Sequence, residues 1–251
     1  MNATTISRFI DAFTPGRLCG GGWLVIAALW GAGTVANAAA VPPDLTGLWL
    51  GTASTNPVRT LDGKTPPLLP QAEAAFKRIS ARLAAGDTAA DPAARCLPPG
   101  VPRIYSMAQP FLIVQRPYEL LFLFQFQRTV RRIYMGQHQF SEDQPAFMGN
   151  SVAHWTGRSL SIVTTGFAQP GFLDNAGTPF DTQLHVTEQL TLLDPGTLED
   201  LVVIDDPGTY THPWRTKYLF HKQPGLEIQE DVCADRANLL HLEQQRQEPA
   251  P

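Results

Sequence analysis

Between Phe111 and Met135 the chain reads FLIVQRPYELLFLFQFQRTVRRIYM. Three short apolar segments, residues 111–115, 120–127 and 130–135, are broken by turn-forming residues near Arg116-Pro117-Tyr118 and Arg128-Thr129. Runs this short, rich in aromatic and branched side chains and bounded by turns, predict antiparallel strands in two hairpins. Successive side chains on a strand point to opposite faces. That places Phe111, Ile113, Leu120, Phe122, Phe124, Phe126 and Ile133 on one face, which reads as core. The other face carries Leu112, Val114, Leu121, Leu123, Gln125, Gln127, Arg132 and Tyr134. A mostly apolar surface with a few polar groups either lines a ligand cavity or is an outer face wetted at its edges.

The rest of the chain repeats this grammar. Residues 147–155 and 160–165 form a further hairpin around Thr156-Gly157-Arg158-Ser159. Residues 181–193 alternate almost cleanly, and Asp194-Pro195-Gly196 turns them into 198–204. Asp205-Asp206-Pro207-Gly208 then leads to 214–221. Strands at such spacing predict an all-β fold, an antiparallel barrel or sandwich, with one or two accessory helices. One helix is expected over 71–85, where Ala72, Ala75, Phe76, Ile79 and Leu83 recur at helical spacing before Gly86. A short closing helix is expected from Cys233 to Gln245.

The N-terminus narrows the folded part. Arg8 and Arg17 precede an uncharged run over 20–35, and Ala36-Asn37-Ala38-Ala39-Ala40 offers small-residue processing sites. Residues 1–38 therefore read as a secretory signal, with no stable membrane anchor after cleavage. Residues 39–245 remain as one domain and 246–251 as a disordered tail. A mature chain of about 210 residues is long enough for a single core.

The net charge of −4 comes without a Lys/Arg cluster, which argues against nucleic acid as a partner. Cys96 and Cys233 both follow the signal, and in an exported chain such a pair reads as a disulfide. A catalytic thiol would need a histidine partner that the spacing does not supply.

Chemistry is sparse. Gly149-Asn150-Ser151-Val152-Ala153 falls one residue short of a nucleophile elbow, and a β-like run follows it. His185 and Glu188 face opposite ways on a strand, and the other histidines show no ligand spacing, so no metal is expected. No glycine-rich phosphate loop precedes a helix, so no cofactor is expected either. Asp181 and His185 share a face about 13 Å apart along a strand. With Arg132 they are candidate catalytic groups: His185 as base, Arg132 stabilising an oxyanion. Phe124, Tyr134, Trp155 and Trp214 are candidate ligand-binding walls, with Gln125 as a polar anchor.

Several ordered pieces recur together. They are Asp44-Leu45-Thr46-Gly47-Leu48-Trp49, Cys96-Leu97-Pro98-Pro99-Gly100-Val101-Pro102-Arg103, Pro110-Phe111-Leu112-Ile113-Val114-Gln115, Arg131-Arg132-Ile133-Tyr134 and Tyr210-Thr211-His212-Pro213-Trp214. This set resembles a family of exported bacterial lipocalin-like β-barrel proteins that carries no agreed reaction. Where members of that family have D-G-R after the tyrosine, this chain has Met135-Gly136-Gln137. The resemblance implies a periplasmic or secreted barrel holding a small hydrophobic or aromatic molecule. The alternatives are a cofactor-independent isomerase, lyase or hydrolase in the same cavity, or a structural envelope protein.

Overall fold

A computed structural model describes residues 41–52, 56–140 and 144–233. They belong to one compact unit, Ala39–Pro251. The expected signal, the closing helix beyond Cys233 and the tail lie outside the described residues. Among the described residues no helix is long and apolar enough to cross a membrane.

Nine strands close into a barrel. In chain order they begin with β1 (Gly47–Gly51), β2 (Phe111–Gln115), β3 (Glu119–Phe124), β4 (Val130–Met135), β5 (Asn150–Thr156) and β6 (Ser159–Thr165). A small two-stranded ribbon, β7 (Gly171–Phe172) with β8 (Pro179–Phe180), stands apart. Then come β9 (His185–Asp194), β10 (Thr197–Asp205) and β11 (Trp214–Lys222). Around the ring the order is β1-β11-β10-β9-β6-β5-β4-β3-β2, and β1 pairs with both β11 and β2 to shut it. Closure pairs every barrel strand on both sides over at least part of its length, which limits edge-to-edge association. The barrel is mostly antiparallel, in keeping with a lipocalin-like architecture.

One pair departs from the expected antiparallel order: β4 and β5 run parallel. Nine strands cannot alternate direction all the way around a ring, so an odd-numbered barrel needs at least one parallel pair. A parallel pair also needs a crossover rather than a tight turn. Here it runs through residues 136–149.

The faces expected for β2, β3 and β4 are those observed. Phe111, Ile113, Leu120, Phe122, Phe124 and Ile133 are buried inside the barrel. β3 ends at Phe124 rather than continuing to Gln127, because the chain turns through Phe126–Arg128 with Gln127 at φ 53°. Helix α1 (Pro70–Ala84) starts on Pro70, which has no N–H to satisfy, and stops before Gly86 at φ 83°. Its Ala72 is buried, while Ala75, Phe76, Ile79 and Leu83 are half-buried.

The barrel's middle is filled by the protein's own side chains. A 3-10 turn over Arg103–Ser106 pushes Tyr105 inward, where its ring lies 5.2 Å from Phe220, 5.5 Å from Tyr218 and 5.9 Å from Phe124. Phe111 stacks on Phe124 at 5.0 Å and meets Phe220 edge-on at 5.1 Å. This segment is tethered at its start, for Cys96 is bonded to Cys233 as expected. Arg103 adds a second tie through a paired contact with Asp91, at 2.7 and 2.6 Å.

Candidate functional site

The parallel pair is short. β5 matches β4 only at Ile133, Tyr134 and Met135, whereas β3 matches β4 from Val130 to Tyr134. Val130, Arg131 and Arg132 thus have a strand neighbour on the β3 side alone, and the barrel wall parts beside them. The described parts of the crossover, residues 136–140 and 144–149, line this opening without filling it. Gly149 helps by lying close: at φ 66°, a Cβ there would sit 2.5 Å from the Thr164 side chain. The resulting lateral cleft holds about 530 Å3, within the range of roughly 300–1,000 Å3 usual for small-molecule sites.

Its outer wall is aromatic. Tyr134, near the end of β4, stacks flat on His138, with ring centroids 3.8 Å apart and planes 2° from parallel. Phe140 meets both rings edge-on, at 4.7 Å from His138 and 5.6 Å from Tyr134. Phe147 and Met148 line the far side, and Arg131, Asn150 and Ser151 lie beneath. Arg132 stands at the rim with its side chain 55% exposed. Its guanidinium sits 5.9 Å from the centre of the Tyr134 ring and donates to the Tyr134 hydroxyl at 3.4 Å. That hydrogen bond raises the Arg132 pKa above its already high ordinary value.

Beneath the cleft lies a charged group buried inside the barrel. Arg131 is 1% exposed and forms a paired ion contact with Glu188, which is 0% exposed. Tyr105 completes the arrangement: its hydroxyl accepts from Arg131 at 2.6 Å and donates to Glu188 at 2.8 Å. Ser151 and Thr164 take further guanidinium hydrogens at 3.2 and 2.8 Å. Burial works against the Arg131 charge, but Glu188 outweighs it and raises the pKa.

Asp200, on β10, is the odd member. As a carboxylate it would have no donor to either oxygen. Burial first, then the neighbouring Glu188 charge, raise its pKa well above the ordinary carboxyl value despite the opposing pull of Arg131. Both effects favour the protonated form of Asp200, in which its O–H would donate to Glu188. The cluster then carries one positive and one negative charge, which is what a buried site tolerates.

This predicts how stability depends on pH. Asp200 keeps its proton in the folded state while the unfolded chain releases one near pH 3.8. Stability should fall by about 1.4 kcal/mol per pH unit from there up to the folded-state pKa. Asp200→Asn, whose amide replaces the O–H donor, should flatten that slope and be the more stable form at neutral pH. Urea denaturation of both forms at several pH values measures it, and parallel slopes would show that Asp200 is ionised.

The expected site residues scatter. Arg132 and Tyr134 do meet, but on the outer side of the barrel and not within it. His185 is exposed at the start of β9, with β5 and β6 between its strand and β4. The inward placement of Arg132 and His185 is corrected by strand parity. On β9 the inner set is Val186, Glu188 and Leu190, which turns His185 to solvent; on β4 it is Arg131 and Ile133, which turns Arg132 out. Asp181 caps its neighbour Thr182, at 2.5 Å from the backbone N–H. Phe124 is core. Trp214 is buried against Tyr210 at 5.4 Å, and Trp155 is half-buried beside the core. Gln125 accepts from the Gln229 backbone at 2.9 Å.

What sequence reasoning missed is the buried group, and a signal for it exists. Arg131, Glu188 and Asp200 each occupy an inward position beside apolar neighbours, two residues from Ile133, from Val186 and Leu190, and from Leu198 and Val202. Three charges on the core parity of three strands must pair or neutralise.

Fold and cleft together define a closed β-barrel protein with a side opening walled by stacked aromatic rings. No family model matches the chain, and comparison with curated proteins gives no match either.

Proposed function

We propose that this is an exported binding protein that takes a small planar aromatic molecule in the lateral cleft between β4 and β5. The observation that carries this reading is the flat Tyr134–His138 stack walling an open space beside an otherwise filled barrel. The site differs from the expected axial cavity because Tyr105 and the phenylalanines occupy the axis. The Cys96–Cys233 bond fits an oxidising compartment, and membership of the exported lipocalin-like family belongs to the same proposal. Ser151 is wholly buried and engaged by Arg131 and Thr164, and Arg132 and His185 stand on separated strands. Neither arrangement supports a nucleophile or a proton-transfer pair.

N-phenyl-1-naphthylamine, an uncharged fluorescent probe, tests the reading. We expect saturable one-site binding, weakened about two- to thirteenfold by Tyr134→Ala or His138→Ala, from the 0.5–1.5 kcal/mol typical of an aromatic pair. The absence of saturable binding, or binding indifferent to both substitutions, would overturn it.

A further inference from the structure

The described lining of the cleft also carries guanidinium groups, which narrow the class of molecule it takes. Among its described lining residues there are two guanidinium groups, Arg131 and Arg132, and no carboxylate. Arg131 is matched internally by Glu188. Among the described residues Arg132 is matched by Glu119, at 3.2 Å, and Glu119 is shared with Arg116 at 3.1 Å. Among the described residues, two guanidinium groups thus share this one carboxylate.

Nor is Arg132 a freely swinging side chain. The Glu119 contact holds its Nε, and the Tyr134 ring supports its terminal end. Its remaining N–H donors stand beside the aromatic stack in the planar fork that matches a carboxylate or sulfonate with two parallel hydrogen bonds.

We propose that the ligand is an aromatic acid, its ring against Tyr134, His138 and Phe140 and its anionic group on Arg132. This rests on the cleft being the binding site. A ring with an acid group can meet both features at once, the stack by dispersion and the guanidinium by a charge-assisted hydrogen bond. A neutral ring would leave the Arg132 donors to water.

Two probes that share their ring systems test it: uncharged N-phenyl-1-naphthylamine and its sulfonated analogue 1-anilinonaphthalene-8-sulfonate. The sulfonate should bind at least tenfold more tightly, with the preference shrinking as salt is raised. Arg132→Gln should erase the preference, while Arg132→Lys should restore part of it. Tyr134→Ala should weaken both probes, and thermal denaturation should confirm that each variant is folded. Equal binding of the two probes, or a preference that survives Arg132→Gln, overturns the aromatic-acid proposal and leaves the binding site standing. Sulfonate binding that ignores Tyr134→Ala places the probe elsewhere and overturns it too. Failure of both probes to bind overturns the site itself.

Discussion

Replacing Arg131 with Met should lower the stability of the barrel domain by about 3–5 kcal/mol, the usual cost of removing one partner from a buried ion pair. Met fills most of the volume, so the loss is electrostatic rather than a cavity. Glu188 would be left fully buried beside Asp200, its guanidinium replaced by a thioether. It would have to take up a proton, and the Tyr105, Ser151 and Thr164 hydroxyls would each lose a donor. A domain of this size has only about 5–15 kcal/mol in hand, so roughly a fifth or more would go. Pairing Arg131→Met with Glu188→Met should recover most of the loss, since an apolar pair has no unpaired charge to desolvate. Denaturant midpoints for the two single variants and the double decide it. A single-variant change below about 1 kcal/mol would mean that water reaches the cluster.

Breaking the Cys96–Cys233 bond should cost nearly as much. The two cysteines lie 137 positions apart, and on the chain-entropy argument a loop of that length contributes about 4–5 kcal/mol by restricting the unfolded state. Other ties reduce the loss. Gln127 donates its backbone N–H to Asp231 at 2.8 Å and its side-chain amide to the Ala93 carbonyl at 2.9 Å, so both ends of the bridge stay close to the β3–β4 connection. The Cys96→Ser/Cys233→Ser double variant, or reductant added to the parent, should shift the urea midpoint down. The Tyr105 segment should be the first to exchange its amide hydrogens. Coincident denaturation curves with and without reductant would mean that the remaining contacts carry the closure unaided.

The reach of sequence reasoning can be seen at particular positions. The limits of β2 and β4 follow directly from period-two alternation closed off by Arg116-Pro117 and Arg128-Thr129. The same alternation sorts Phe111 through Ile133 into inward and outward sets. The same parity puts Arg131 on the inward face beside Ile133, a position left out of the core set because a charged side chain ordinarily reads as exposed. Its partners Glu188 and Asp200 come 57 and 69 positions later on strands that reach β4 only through the ring. His138 drew no notice as a single histidine in a polar connection. Its stacking on Tyr134 depends on how the crossover folds back.

The residue pattern alone was enough to predict most of the barrel strands, the core face of β2 to β4, the helix and the cysteine bridge, because each rests on short-range periodicity or on the chemistry of one residue type. The direction of β5 relative to β4 was settled only when the ring closed. With nine strands, the parity of the circuit forces a parallel step that no local stretch encodes. From that step come the crossover, the parted wall and the aromatic cleft. The buried ion pair is likewise a product of assembly, since a guanidinium can enter a core only after distant strands have brought a carboxylate to meet it.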